Sequence, residues 1–225
     1  MILLGSAVNG IAIVIGGTVG LLAGKILPER IRTALVPTMS LVTIGIAVPG
    51  LLDTSNLLIP ILSMVVGTFL GELIDIDGWL QTLSRKLQEK FSGSRVAEGF
   101  FTCSLVFAVG AVAVMGALDG GLRNDHDLLF AKALMDGTAS IAFAAALGLG
   151  VVFSAVTVFV VEGGIALLAG LAAPLLSTAV INEISFVGSL LIIGISLNMM
   201  GATKLRVLNM VPALVLPLLL CQFML

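Results

Sequence analysis

The residues best suited to chemistry sit in the middle of an apolar stretch. Lys132 and Asp136 are four apart, with Gly137, Thr138 and Ser140 just after them. On a helix, positions four apart share a face, so an ammonium and a carboxylate would meet there with the Ser140 hydroxyl one turn further on. Gly137 removes side-chain bulk beside the pair, and Thr138 and Ser140 add oxygen ligands. A charge at the centre of a bilayer costs at least about 2.5–3.5 kcal/mol, so such residues inside a span call for a reason. One reason is a cation or proton site that faces a cavity or the bundle interior. The other is a pair that neutralises itself and fixes helix packing.

Further polar groups fall in other apolar runs. Glu162 lies near the middle of the following run, where it would approach Asp136 if the two helices are antiparallel neighbours, or would pair with Lys132. Asn9 and Asn198 are amides that either glue helices together or line a path. Asp119 belongs to an outer loop with Arg123, Asp125, His126 and Asp127, an acidic mouth that would draw cations or a merely solvated turn. Two carboxylates that share a proton must stand within a few ångströms. Asp119 at the outer edge and Asp136 deep inside do not fit that demand, so no enzyme is expected. Cys103 and Cys221 have no partner at metal-ligand spacing, and His126 is the one histidine, so neither a metal site nor a cofactor is expected.

Composition says what surrounds these groups. Hydrophobic residues make up 59% of the chain, charged residues 11%, and the mean hydropathy is +1.21, against roughly 25% charged residues in a soluble domain. No soluble core hides that much apolar surface. The net charge of -2 gives no footing for a nucleic-acid partner. The expected partners are the lipid bilayer and a small ion or polar solute.

Since about 20 apolar residues cross the hydrocarbon, the sequence predicts an all-α bundle, one membrane domain over 1–225. Eight runs are expected at about 3–24, 36–52, 56–74, 97–118, 128–147, 151–174, 185–201 and 206–224. The first run has no basic segment before it and is too long for a signal sequence, so it is read as a retained span. The fifth and sixth divide at Gly148, and without that turn the count is seven. Lys25, Arg30 and Arg32, then Arg85, Lys86, Lys90 and Arg95, then Lys204 and Arg206 fall on one side of an eight-span chain. The positive-inside rule makes that side cytoplasmic and sets both termini outside the cytoplasm. An amphipathic stretch over about 77–91, with Trp79, Leu83, Leu87 and Phe91 against Arg85, Lys86 and Lys90, is expected to lie in the interface.

Internal similarity adds an architectural expectation. Gly16 to Gly24 followed by Pro28 resembles Gly163 to Gly170 followed by Pro174, and Ser40 to Ile46 resembles Ser189 to Ile195. By the charge rule the copies run in opposite directions, which predicts an inverted repeat of the first two spans in the sixth and seventh. A weaker echo covers Val66 to Gly71. The ladders Gly16, Gly20, Gly24 and Gly67, Gly71 are small-residue faces suited to close helix approach, and they also make a homo-oligomer plausible.

The stretches from Ser104 to Leu122, Ala131 to Ala155 and Ser189 to Leu214, together with Asn9 and the segment from Leu22 to Arg30, resemble a bacterial membrane family called domain of unknown function 554, which includes YdfK-like and YqgA-like proteins. The resemblance covers nearly the whole chain. It implies a bacterial inner-membrane location and a transporter label, but no substrate. Positions matching its motifs are Asn9, Asp119, Lys132, Asp136, Gly137, Ser140 and Asn198. Glu162 stands where Gln is expected in similar proteins, which weakens an essential carboxylate role there. The resulting reading is a secondary transporter or channel for a small ion or polar solute. In it, Asp136 is the site, Lys132 its charge partner, Thr138 and Ser140 ligands, and Asn9 and Asn198 line the path. The alternative is a non-transporting membrane scaffold or sensor that docks through the interfacial helix.

Overall fold

A computed structural model describes residues 1–52, 54–78 and 96–224. Without water in the hydrocarbon, a chain must satisfy its backbone internally, and among the described residues every regular element is a helix. In order these are α1 (Leu4–Ile26), α2 (Glu29–Ala47) continued by a 3-10 turn (Val48–Leu51), α3 (Leu58–Ile74), α4 (Val96–Ala108), α5 (Ala111–Arg123), α6 (Asp127–Leu147), α7 (Gly150–Leu167), the short α8 (Ala169–Ala172), α9 (Thr178–Met199), a 3-10 helix (Val207–Leu214) and α10 (Leu216–Met224).

Among the described residues, five elements are long and apolar enough to cross a membrane: α1, α2 with its 3-10 turn, α6, α7 and α9. Two more candidates are broken spans. The α4–α5 pair bends by 60° and the Val207–Leu214 helix meets α10 at 43°; counted as one span each by length and composition, they raise the number to seven. Against the expected eight, length and composition give five to seven, and the difference lies in α3 and in the two bent pairs. The third run yields the 17-residue α3, a shorter apolar helix. The fourth and eighth break where glycine or proline interrupts the helix: Gly110 precedes α5, and Pro212 and Pro217 flank the second bend. The chain does turn at Gly148, which caps α6 at φ 81°, a conformation open to glycine at little cost. The interfacial helix expected over about 77–91 lies, beyond Gly78, outside the described residues.

The helices carry their polarity on the inside. On α1, Ser6, Asn9, Gly16 and Gly20 are buried while Ile11, Ile15 and Leu22 point outward. On α6, Lys132, Asp136 and Ser140 are buried while Leu134 and Met135 are exposed. A water-soluble bundle would reverse this pattern, whereas a lipid-facing one requires it.

The Gly16, Gly20, Gly24 ladder lets α1 press against α6 in parallel. A Cβ on Gly16 would stand 2.0 Å from the Gly137 carbonyl oxygen, and one on Gly20 2.2 Å from that of Ile141. The second ladder seats α3 on the Val207–Leu214 helix, with Gly67 against Ala213 and Gly71 against Asn209. Polar ties fix which ends lie together. The N-terminal ammonium donates to Asn124 Oδ1 at 2.9 Å, so the start of α1 lies at the end of α5. Arg206 pairs with Glu72 at 2.7 Å and with Asp75, so the end of α3 lies beside the loop after α9.

Candidate membrane-buried polar site

Three helices build one buried polar cluster. The α1–α6 contact, made close by glycine, brings Asn9 to Asp136. The antiparallel packing of α7 on α1, with Gly10 near Ala155 and Gly163 near Leu3 and Ser6, brings in Glu162. Asn9 Nδ2 donates to Asp136 Oδ2 at 3.0 Å and to Glu162 at 2.9 Å (Oε1) and 3.2 Å (Oε2). Lys132 Nζ donates to Asp136 Oδ2, lies 3.7 Å from Glu162 Oε1, and donates to the Phe107 carbonyl oxygen at 2.5 Å. Both alternatives left open for Glu162 are thus realised, since it approaches Asp136 through Asn9 and faces Lys132 as well.

The Phe107 contact follows from the broken span. Inside an unbroken helix that carbonyl would accept from the amide four residues on, but α4 ends at Ala108 and α5 restarts at Ala111. The freed acceptor needs another donor, and Lys132 supplies it. Its ammonium, with three protons, is then turned toward two carboxylates and a backbone oxygen.

Formal charge does not balance here. One ammonium faces two carboxylates, +1 against -2, and Glu162 is fully buried while Asp136 is 7% exposed. A surplus negative charge in this setting favours an added proton or cation. Two acceptors remain open for one. Among the described residues, Asn9 Oδ1 is buried with no partner, and Asp136 Oδ1 accepts no hydrogen bond, since both of its carboxylate's bonds end on Oδ2.

Asp136 and Lys132 also form part of the wall of a cavity of about 410 Å³. The break between α4 and α5 lies on this wall, and α9 contributes Asn182, Ser185 and Ser189. That polar face, spaced by three and four residues, was not read from the sequence as part of the site. The seventh run was taken to begin at 185, whereas α9 starts at Thr178 with Ser177 as its cap, accepting from the Val180 amide at 3.4 Å. A serine cap ahead of an apolar stretch was the available signal.

The remaining sequence candidates stand elsewhere or act differently. Ser140 Oγ is buried but donates to the Asp136 backbone oxygen at 2.7 Å. Thr138 is exposed and donates to the Leu134 and Met135 carbonyls. Gly137 faces Ala12 and serves the α1 contact. Asn198 closes the loop after α9, bonding Leu205 through both amide atoms and accepting from Thr203 Oγ1. Asp119 pairs with Arg123 at 3.4 Å near the end of α5. The structure therefore gathers Asn9, Lys132, Asp136 and Glu162, and leaves Thr138, Asn198 and Asp119 outside the cluster. Among the described residues no group of three or more His, Cys, Asp or Glu could hold a metal ion.

Comparison with known proteins supports the membrane assignment. The chain is 29% identical over 217 residues to the uncharacterized membrane protein YdfK of Bacillus subtilis (strain 168), covering 95% of this chain and 93% of that one. It is 28% identical over 220 residues to the uncharacterized protein YqgA of Escherichia coli (strain K12), covering 95% and 94%. No solved structure matches. The model of the protein of unknown function family DUF554 matches residues 4–222, and with apolar helices that wrap a buried polar cluster, the chain is a membrane protein belonging to that family.

Proposed function

We propose that this protein is a secondary transporter of a small ion or polar solute in the bacterial inner membrane, with Asp136 as a proton or cation site. The observation that carries the reading is the buried cluster in which Asp136 and Glu162 share Asn9 and one ammonium beside a cavity of about 410 Å³. A proton or cation taken up at Asp136 Oδ1 removes the surplus charge and weakens its hold on Lys132. The ammonium is then free to lean toward Glu162 and the Phe107 carbonyl, a local rearrangement of the kind that biases a two-state element.

Broken spans that meet near such a site are the usual arrangement in transporters, and here α4–α5 is one. The inverted-repeat proposal draws support from direction: α1 with α7, and α2 with α9, run antiparallel. Gly17 packs on Val152 and Gly163 on Leu3, while Gly50 reaches Ser185 and Ser189. With α3 as an eighth span, the positive-inside rule sets the Lys25 and Lys204 loops in the cytoplasm and both termini outside.

The test is flux. Full-length protein in liposomes loaded with a pH-sensitive dye, under a potassium gradient clamped by valinomycin, should move protons faster than protein-free liposomes. Asp136→Asn should abolish the difference, while Glu162→Gln, which preserves an acceptor for Asn9, should keep most of it. Unchanged flux in Asp136→Asn removes that carboxylate from the mechanism.

A further inference from the structure

The wall of the cavity beside Asp136 has two chemically different parts. One is acidic: Asp136 Oδ1, turned away from the bonds that end on Oδ2. Lys132 does not compete there for an anion, because its ammonium is engaged by Asp136, Glu162 and the Phe107 carbonyl. The other part is rich in donors. Helix α5, 13 residues long, begins at the break with Gly110 as its cap and no side-chain cap bond, and Gly110, Val112 and Ala113 lie on the cavity wall. The first amides of a helix lack partners within it and carry the positive end of its dipole, which suits a carboxylate.

A second observation points to a ligand in this cavity. Ser185 is 8% exposed, lines the same cavity, and its Oγ has no hydrogen-bond partner among the described residues. A buried hydroxyl left unpaired costs about 1–3 kcal/mol, and an occupant that accepts from it removes that cost. Asn182 lies one turn before it on the same face of α9. The wall also carries apolar side chains, among them Ile46, Val106 and Ile192. The volume of about 410 Å³ corresponds to roughly ten or more waters at about 30 Å³ each, enough for a small organic solute.

We propose that the cavity binds a small zwitterion of the aliphatic α-amino acid type, with its carboxylate on the α5 N-terminus and Ser185 Oγ and its ammonium on Asp136 Oδ1. This rests on the transport reading and names its solute class. The zwitterion brings one positive and one negative group to places that offer the complement of each. Its ammonium answers the surplus carboxylate of the cluster, so solute and proton compete for one oxygen. The apolar part of the wall selects short aliphatic side chains over charged ones.

The experiment is binding of radiolabelled glycine, L-alanine and L-valine to purified full-length protein in nanodiscs, with acetate and methylammonium as half-ligand competitors. Saturable binding of at least one amino acid is expected. Each half-ligand should compete at least tenfold more weakly than the amino acid. Ser185→Ala, a small change at a site with no internal partner, should weaken binding about fivefold to tenfold, and Asp136→Asn should abolish amino-acid binding while leaving acetate binding in place. If Asp136→Asn fails to fold, Ser185→Ala and a cavity-filling Ala113→Phe decide the matter, since both should reduce binding. No saturable binding of any of the three up to millimolar concentration overturns the proposal, as does binding indifferent to Ser185→Ala. Proton flux dependent on Asp136 in protein that binds no amino acid would remove the zwitterion and leave the transport reading standing. Loss of both removes both.

Discussion

Asp136 on α6 and Glu162 on α7 share a single donor, the Nδ2 of Asn9 on α1, which reaches them at 3.0 and 2.9 Å. Three helices are thus tied at one point by one amide. Its two protons are both used, and its oxygen stays unpaired. Truncation at this point has consequences on every helix at once, and the direction depends on which charge is removed.

Lys132→Met should be strongly destabilising, because it leaves two buried carboxylates without a cation, and breaking a buried pair costs roughly 3–5 kcal/mol. Adding Glu162→Gln removes one of those carboxylates and should recover part of the loss. Residues within one network couple by about 0.5–3 kcal/mol, so the two changes should be non-additive by about that amount. Thermal unfolding of the four proteins in detergent measures the cycle. Strict additivity would show that Lys132 and Glu162 do not interact.

The α1–α6 contact makes a sharp pair of predictions about glycine. Gly20→Val places a Cβ 2.2 Å from the Ile141 carbonyl oxygen, a backbone atom with no easy escape, so α1 must move and Asn9 with it. Loss of stability by several kcal/mol, of order the larger overpacking effects, should appear together with lost flux. Gly45→Ala is the contrast: nothing lies within 4 Å of the added methyl, and in a helix interior the change should stabilise by roughly 0.5–1 kcal/mol. Equal melting temperatures for the two variants would contradict the packing described.

The order of apolar runs, the turn at Gly148 and the glycine faces could be seen in the sequence, because each has a local physical signature: length of hydrocarbon crossed, a cap, a four-residue ladder. Lys132 and Asp136 were visible for the same reason, as charges four apart in a run that should hold none. The gathering of Asn9 and Glu162 was not, since it depends on which helices neighbour which, and single-sequence periodicity is silent on that. The breaks at Gly110 and around Pro217 were hidden because hydropathy averages over a bend. The start of α9 was set seven residues late, at 185 instead of Thr178. That delay left Asn182 and Glu183 outside the expected span, although Asn182 lines the cavity.

Glu183 is the clearest residue lost that way. Its fully buried carboxylate accepts from Thr54 Oγ1 at 3.0 and 2.9 Å, from the Ser55 amide at 2.7 Å and from the Asn56 amide at 3.1 Å. It thereby fixes the turn that enters α3 to α9. Hydrogen bonds to charged groups contribute about 1.5–3 kcal/mol each. Glu183→Ala should therefore cost several kcal/mol, and Glu183→Gln, which keeps one acceptor oxygen, distinctly less. Proteolysis near residue 54 in the alanine variant should rise in step with the loss. An alanine variant as stable as the parent would mean that the turn does not depend on this carboxylate.

Sidedness is open to direct labelling. The N-terminal ammonium meets Asn124, whereas Arg206 meets Glu72 and Asp75, so residues 124 and 204 belong to opposite faces if α6, α7 and α9 each cross the membrane. Both natural thiols are buried, Cys103 and Cys221, and should react slowly with a membrane-impermeant maleimide. Asn124→Cys should then label from outside intact spheroplasts, and Lys204→Cys only after the membrane is opened. The reverse order would invert the orientation that the basic loops predict. Labelling of both from the same side would break the alternation of spans itself, and with it the burial of Asp136 at mid-membrane.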